Sequence, residues 1–464
     1  MNKRDFLKSA LFGSGAVGLR SLLTGLPPAF LMYRSVALAQ EQSAATFTIL
    51  SHGQPGHPIN ANGPGTYPNN PNNENDPLRF IDHPRTSDLN GVDVGVINGV
   101  AYPPATFQTP VDLTVGSSTV KAAGPWAALQ PALLQRTSFF HISTQANAHP
   151  EFINVMKFHG AIKGPTGTGQ ETLASFLAQE NAAALGTLTN QPVNVGGNAI
   201  SFDGRPLGVL DPTELKSLFG GAVHPTRVDP SQFLRLRDAA IDEIYRDVRS
   251  SGSHAQKAFL ERYALGRNQA AQLGDSLAPL LADIQGNGQV DEIRAAVALI
   301  RLRITPVVVL QLHWGRDNHQ DDDLAREYTE TIASINSLRL LWDQLVAAGV
   351  ENEVTFANLD VFGRTLTRNK ARDGAPYGGR DHNRNHHLTM MFGPKIAPGV
   401  VGGLEPTFRN GNLRDFKAID IGSIPYDQTL ESSGKTLAKA VGVPDERISL
   451  RISGGQTIDS ALQS

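Results

Sequence analysis

Residues 305–359 carry the pattern that most restricts the architecture: an apolar run, a long amphipathic segment, then a second apolar run. Thr305-Pro306-Val307-Val308-Val309-Leu310-Gln311-Leu312 is apolar almost throughout, as a strand covered on both faces must be. Leu324, Tyr328, Ile332, Ile335, Leu338 and Leu345 follow at helical spacing, up to a C-terminal stop at Gly349. Val354-Thr355-Phe356-Ala357-Asn358-Leu359 is the next strand. A helix of about 25 residues between two strands is a parallel crossover, so both strands lie in one sheet and end at the same edge.

The rest of the chain extends this unit. Residues 46–50 and 138–143 read as further buried strands, and a helix starts at Pro150 or Glu151, with another over 171–184 after a Gly-rich linker. A long Asn/Pro/Gly stretch follows the first strand and ends near Pro77. Asp211-Pro212 and Asp229-Pro230 are helix-start signals, and residues 211–303 read as a helical insertion or cap. The expected fold is α/β: a doubly wound, mainly parallel sheet between helices, in a single domain over 40–464.

Charge and composition exclude several functions. Across 464 residues the net charge is -3 with no basic run, which argues against a nucleic-acid surface. Cysteine is absent, so there are no disulfides, thiolate ligands or cysteine nucleophiles, and any metal must be held by nitrogen and oxygen. Residues 1–39 read as a signal peptide. Asn2-Lys3-Arg4-Asp5-Phe6-Leu7-Lys8 resembles the twin-arginine export motif, and Ala37-Leu38-Ala39 offers a small-x-small cleavage site. Arg20 and several Gly and Pro residues make the apolar stretch between them a poor membrane span. The expectation is a periplasmic or secreted protein, handled by the twin-arginine export machinery and left with no stable membrane span after cleavage.

Five of the thirteen histidines fall between 313 and 387, among short Asp/His groups. Carboxylates and neutral imidazoles suit Zn²⁺, Mn²⁺ and similar ions, so such groups converging on one sheet edge point to a metal centre. Arg364 reads two ways: its guanidinium fork fits a phosphate or sulfate, and it equally fits a local carboxylate that pins its loop. The run Asp321-Asp322-Asp323 reads as the cap of the following helix. His149 is a further candidate by its nearness to the second strand, whereas His159 reads as structural.

Three segments carry a family resemblance: Gly315-Arg316-Asp317-Asn318-His319-Gln320, Phe362-Gly363-Arg364-Thr365-Leu366-Thr367, and Gly379-Arg380-Asp381-His382-Asn383-Arg384-Asn385-His386-His387. In order and spacing they resemble the twin-arginine-exported bacterial proteins of domain-of-unknown-function family 1501, within the alkaline phosphatase and sulfatase superfamily. The resemblance implies an alkaline phosphatase-like fold and a divalent ion such as Zn, Mn or Ca. Asp317 and His319 would be ligands, completed by Asp381, His382 and one of His386 and His387; the site set is Asp317, His319, Asp360, Asp381, His382 and His387. The superfamily nucleophile follows the second strand, where Thr144 stands.

The chain departs from the family at two places. Val361 occupies the position of an acidic residue before Phe-Gly-Arg, with Asp360 one place earlier, and strand alternation would turn Asp360 to the other face. After the first strand, Ser51-His52-Gly53-Gln54-Pro55-Gly56-His57 has no acid, leaving His52 or His57 as substitutes. The resemblance implies an exported metal-dependent hydrolase acting on a phosphate or sulfate ester, its substrate a small anionic ester or an anionic polymer. The two departures support the alternative, a catalytically degenerate binding protein on the same fold.

Overall fold

Both apolar runs of the crossover are strands, and the segment between them is a single helix. The computed structural model describes residues 45–67, 81–87, 89, 91–198, 200–219, 279–321, 323–369, 378–410 and 412–463. The signal-peptide reading of 1–39 lies outside them.

A mixed seven-stranded sheet forms the centre. Its strands are β1 (Phe47–Gly53), β2 (Thr137–Ile142), β3 (Val193–Asn194), β4 (Val307–Leu310), β5 (Val354–Asp360), β6 (His387–Phe392) and β7 (Gly399–Val401). They lie in the order β7-β2-β6-β5-β1-β4-β3. β1 runs parallel to β4 and β5, β3 to β4, and β7 to β2. β6 alone is antiparallel, pairing with β5 on one side and β2 on the other.

Alternation along the strands explains their continuous apolar sequences. Val308 and Leu310 enter one core with Phe47, Ile49 and Phe356, while Val307 and Val309 enter a second with Leu50, Phe140 and Leu359. The first core is covered by α2 (Gln289–Arg301) and α3 (Ala325–Ala348), the second by α1 (Leu173–Leu185) and α4 (Thr429–Ala440). Burying both faces of a sheet in this way requires helices on each side.

α2 falls inside the stretch expected to form an insertion or cap, yet it packs on β4 and α3. Ile293, Ala296, Val297 and Ile300 face the core, so this end of the segment belongs to the α/β layer. Residues 220–278 of that segment lie outside the described residues. The acidic run does cap α3. Asp321 accepts the backbone N–H of Arg326 at 2.9 Å and of Glu327 at 3.0 Å, and Asp323 accepts that of Ala325 at 3.0 Å. These are amides that the first helical turn leaves without partners. Among the described residues no helix is long and apolar enough to cross a membrane.

Register gathers one edge of the sheet. Gly53 of β1 pairs with Asp360 of β5, and His387 at the start of β6 pairs with Ile142 at the end of β2. Because β6 is antiparallel, its first residue arrives where its neighbours finish. Beyond such an edge the chain is free to build loops without disturbing the core.

Candidate functional site

Three loops at this edge bring three imidazoles together. His149 opens a short 3₁₀ turn (His149–Glu151) after β2, and His319 follows β4. His382 sits on a two-residue bridge, His382–Asn383, paired with Gly363–Arg364 beyond β5. Each offers one nitrogen, and all three lie within 4.8 Å of one another, the one such group among the described residues. His319 Nε2 is 2.6 Å from His382 Nε2, which is 3.2 Å from His149 Nε2.

The outer nitrogen of each ring faces an acceptor. His149 Nδ1 donates to the Gln54 carbonyl at 2.9 Å and His382 Nδ1 to the Asn147 carbonyl at 2.6 Å. His319 Nδ1 lies 3.2 Å from Asp381 Oδ1. The two carbonyls fix the proton on Nδ1 of His149 and His382 and leave their Nε2 lone pairs facing inward, and the Asp381 carboxylate favours the same tautomer of His319. Burial pulls the His382 pKa down to about 4, outweighing the Asn147 carbonyl, which raises it. Burial, followed by the Arg364 charge, lowers that of His319.

Asp317 adds negative charge. Its Oδ2 lies 3.2 Å from His149 Nε2 and its Oδ1 accepts from Arg364 Nη2 at 3.0 Å. Burial pushes this carboxyl up, but Arg364 and the neighbouring groups hold it below the usual carboxylate range. Three inward lone pairs beside a carboxylate form an electron-rich pocket that a cation satisfies. Pinned outer nitrogens are the usual support of metal-binding histidines. Phe362 packs at a tilt against this group, its ring centroid 4.0 Å from that of His382 and 5.1 Å from that of His149.

Arg364 pins loops. It is fully buried, with Nε donating to the Gly56 carbonyl at 2.7 Å and Nη2 to that of Pro55 at 2.6 Å as well as to Asp317. Nη1 also donates to the Arg380 carbonyl at 3.4 Å, so four of its five N–H groups are used within the protein, and its full burial matches the loop-pinning option. Asp381 stands behind His319 as its partner. Thr144, expected as the nucleophile, is fully buried, and its carbonyl accepts from His159 at 2.7 Å. A hydroxyl with no solvent access cannot meet a substrate where it stands.

Asp360 and His387 belong to a separate, inner group. Asp360 is buried as the last residue of β5, in register with Gly53. Its Oδ1 accepts the N–H of Gly56 at 2.8 Å and of Val361 at 2.7 Å. His57 Nε2 lies 2.7 Å from Oδ2, a close contact off the hydrogen-bond axis. Both nitrogens of His52 and Nδ1 of His387 are buried without a protein hydrogen-bond partner, and burial lowers both histidines to about 4. Asp360 and His387 are thus not among the converging nitrogens. His386 is not either: its Nε2 lies 3.0 Å from His141 Nδ1 in a fully buried stacked pair.

His149 is the member of the group that local sequence patterning shows least well, its nearness to the second strand being the only signal. No protein-family profile matches the chain, and no curated protein matches it.

Proposed function

We propose that the chain is a metal-dependent hydrolase whose ion is held by His149, His319 and His382, acting on a small anionic ester of phosphate or sulfate. The observation that carries this reading is the convergence of three Nε2 atoms, with the outer nitrogens of His149 and His382 bonded to carbonyls and that of His319 3.2 Å from the Asp381 carboxylate. Three protein nitrogens with room for further ligands is the donor count of catalytic rather than structural sites. The nitrogen-rich set suits Zn²⁺ best and Mn²⁺ acceptably, while Ca²⁺, which takes six to eight oxygens, is the poorest match. When bound, such an ion supplies Lewis-acid polarisation of the ester oxygen.

The chain's own residues do the rest. Asp381 orients His319, the Asn147 and Gln54 carbonyls orient the other two rings, and the Phe362 ring shields one side from water. Asp317 presents Oδ2 toward the same point as a further oxygen donor or a proton acceptor. The half-exposed faces of His149 and His319, at 28% and 34%, leave the centre open to a substrate. The ester class rests on the three-segment resemblance, and the exported location on the N-terminal pattern.

One observation favours a second reading, a metal-binding protein without catalysis: Arg364 and Thr144 are both fully buried, Arg364 with most of its donors bonded to its own loops. Turnover separates the two. The purified mature chain, loaded with Zn²⁺ or Mn²⁺, is assayed against aryl phosphates and aryl sulfates beside His382→Ala. Turnover that disappears in the variant supports the hydrolase; a metal-loaded protein inert toward both classes supports the second reading.

A further inference from the structure

Four consecutive residues after β1, Gln54-Pro55-Gly56-His57, reach both the outer and the inner group. The Gln54 carbonyl holds His149 Nδ1, and the Pro55 and Gly56 carbonyls hold the Arg364 guanidinium, which in turn holds Asp317. On the other side, the Gly56 N–H and the His57 ring both contact Asp360. Gly56 has φ of +69°, and a Cβ there would meet the Phe362 ring at 2.0 Å, so the loop lies tight against the strand end in a shape few residues adopt. A loop with three carbonyls turned outward needs a fixed point behind it. The buried carboxylate at the end of β5 is that point.

We propose that Asp360 is a positioning residue: it clamps loop 54–57, and through the loop's carbonyls presets the tautomer of His149 and the placement of Arg364. This rests on the metal-centre reading above and assigns Asp360 a role other than ligand. Its Oδ1 already accepts two backbone N–H groups, while its Oδ2 lies 2.7 Å from His57 Nε2 without a hydrogen bond. Outer-shell partners of metal-binding histidines commonly change metal affinity by 10- to 100-fold when removed. Asp360 stands one step further out, acting on the carbonyl that acts on the ring.

The test uses the full mature chain and two readouts: the ¹⁵N imidazole shifts of His149 in metal-free protein, and Zn²⁺ affinity and stoichiometry by chelator competition. In Asp360→Ala the number of ions bound is expected to equal that of the unsubstituted chain, with affinity lower by about 10-fold or more. The Nδ1–H tautomer of His149 is expected to give way to a mixture. Asp360→Asn keeps an oxygen for the Gly56 and Val361 amides, and is expected to recover the tautomer and bring affinity within about 3-fold. Should Asp360→Ala not fold, Asp360→Leu removes the acceptor without opening a cavity and carries the same expectations.

Loss of one bound ion in the Ala or Leu variant would make Asp360 a ligand and overturn the proposal. An unchanged His149 tautomer together with unchanged affinity would overturn it equally. If the unsubstituted chain binds no ion, the metal reading fails by itself, while the tautomer still reports whether Asp360 fixes the loop.

Discussion

His319 Nε2 and His382 Nε2 stand 2.6 Å apart, and the second nitrogen of each ring is turned to an acceptor, Asp381 for one and the Asn147 carbonyl for the other. Two neutral imidazoles held this way oppose their lone pairs, an arrangement relieved by a shared cation or proton. The sheet edge supplies the rigidity. Each ring hangs from a loop that starts at a strand end and is held by bonds to a neighbouring loop.

The two kinds of group around the centre should separate by magnitude. Removing a converging nitrogen, as in His382→Ala, is expected to lower Zn²⁺ affinity by more than about 100-fold, whereas Asp381→Asn, which only loosens His319, should cost about 10-fold. Competition with a chelator of known affinity measures both. Equal losses in the two variants would place Asp381 among the ligands.

Arg364 should prove structural. Arg364→Ala strips hydrogen bonds from the buried Pro55 and Gly56 carbonyls and should destabilise the fold by roughly 3 kcal/mol. Arg364→Lys should recover little, since one ammonium cannot reproduce the fork. Denaturant midpoints report the effect. A fully stable Arg364→Ala protein with impaired substrate binding would instead assign the guanidinium to the substrate.

The loop that carries His382 depends on a fully buried ion pair. Arg380 Nε donates to Glu327 Oε2 at 2.6 Å, and Nη1 donates to the Leu366 and Thr365 carbonyls at 2.6 and 3.0 Å. Glu327→Gln leaves that guanidinium without a counter-charge and should cost about 3–5 kcal/mol. A loss within about 0.5 kcal/mol, the size expected of a surface substitution, would rule out this role.

Acid should weaken the fold through the His141–His386 pair. Burial lowers His141 to about 4 and His386 well below its ordinary value, against about 6.5 for histidine in the unfolded chain. The unfolded state therefore binds protons that the folded state refuses. Their stabilisation is complete above pH 6.5 and falls as pH drops toward 4, by roughly 2 kcal/mol for each ring at pH 5. Unfolding free energies at pH 7 and pH 5 check this; a flat profile between them contradicts it.

The sheet was legible where local pattern and tertiary demand coincide. Val307–Leu310 is apolar on both faces because two cores meet it, and the spacing of Leu324 to Leu345 could serve only a helix lying on that sheet. β6 is not legible in local pattern: His387, a candidate ligand by the resemblance, opens a strand whose neighbours are distant in sequence. The Asp/His segments converge on one sheet edge, where His319 and His382 meet His149. His149 comes from another crossover, and its ring is aimed by a carbonyl 95 residues away, which no local spacing encodes. Asp360, a candidate ligand by sequence, is the last residue of β5 and is bonded to the Gly56 and Val361 amides, partners that strand alternation does not encode.

Metal content tests the central claim most directly. Folded protein purified without added metal, then analysed for Zn, Mn, Fe, Ca and Mg, should carry close to one transition-metal ion per chain, Zn²⁺ or Mn²⁺. The triple variant of His149, His319 and His382 to alanine should carry none. No transition metal in the unsubstituted protein, together with no binding when Zn²⁺ is supplied, would contradict the account.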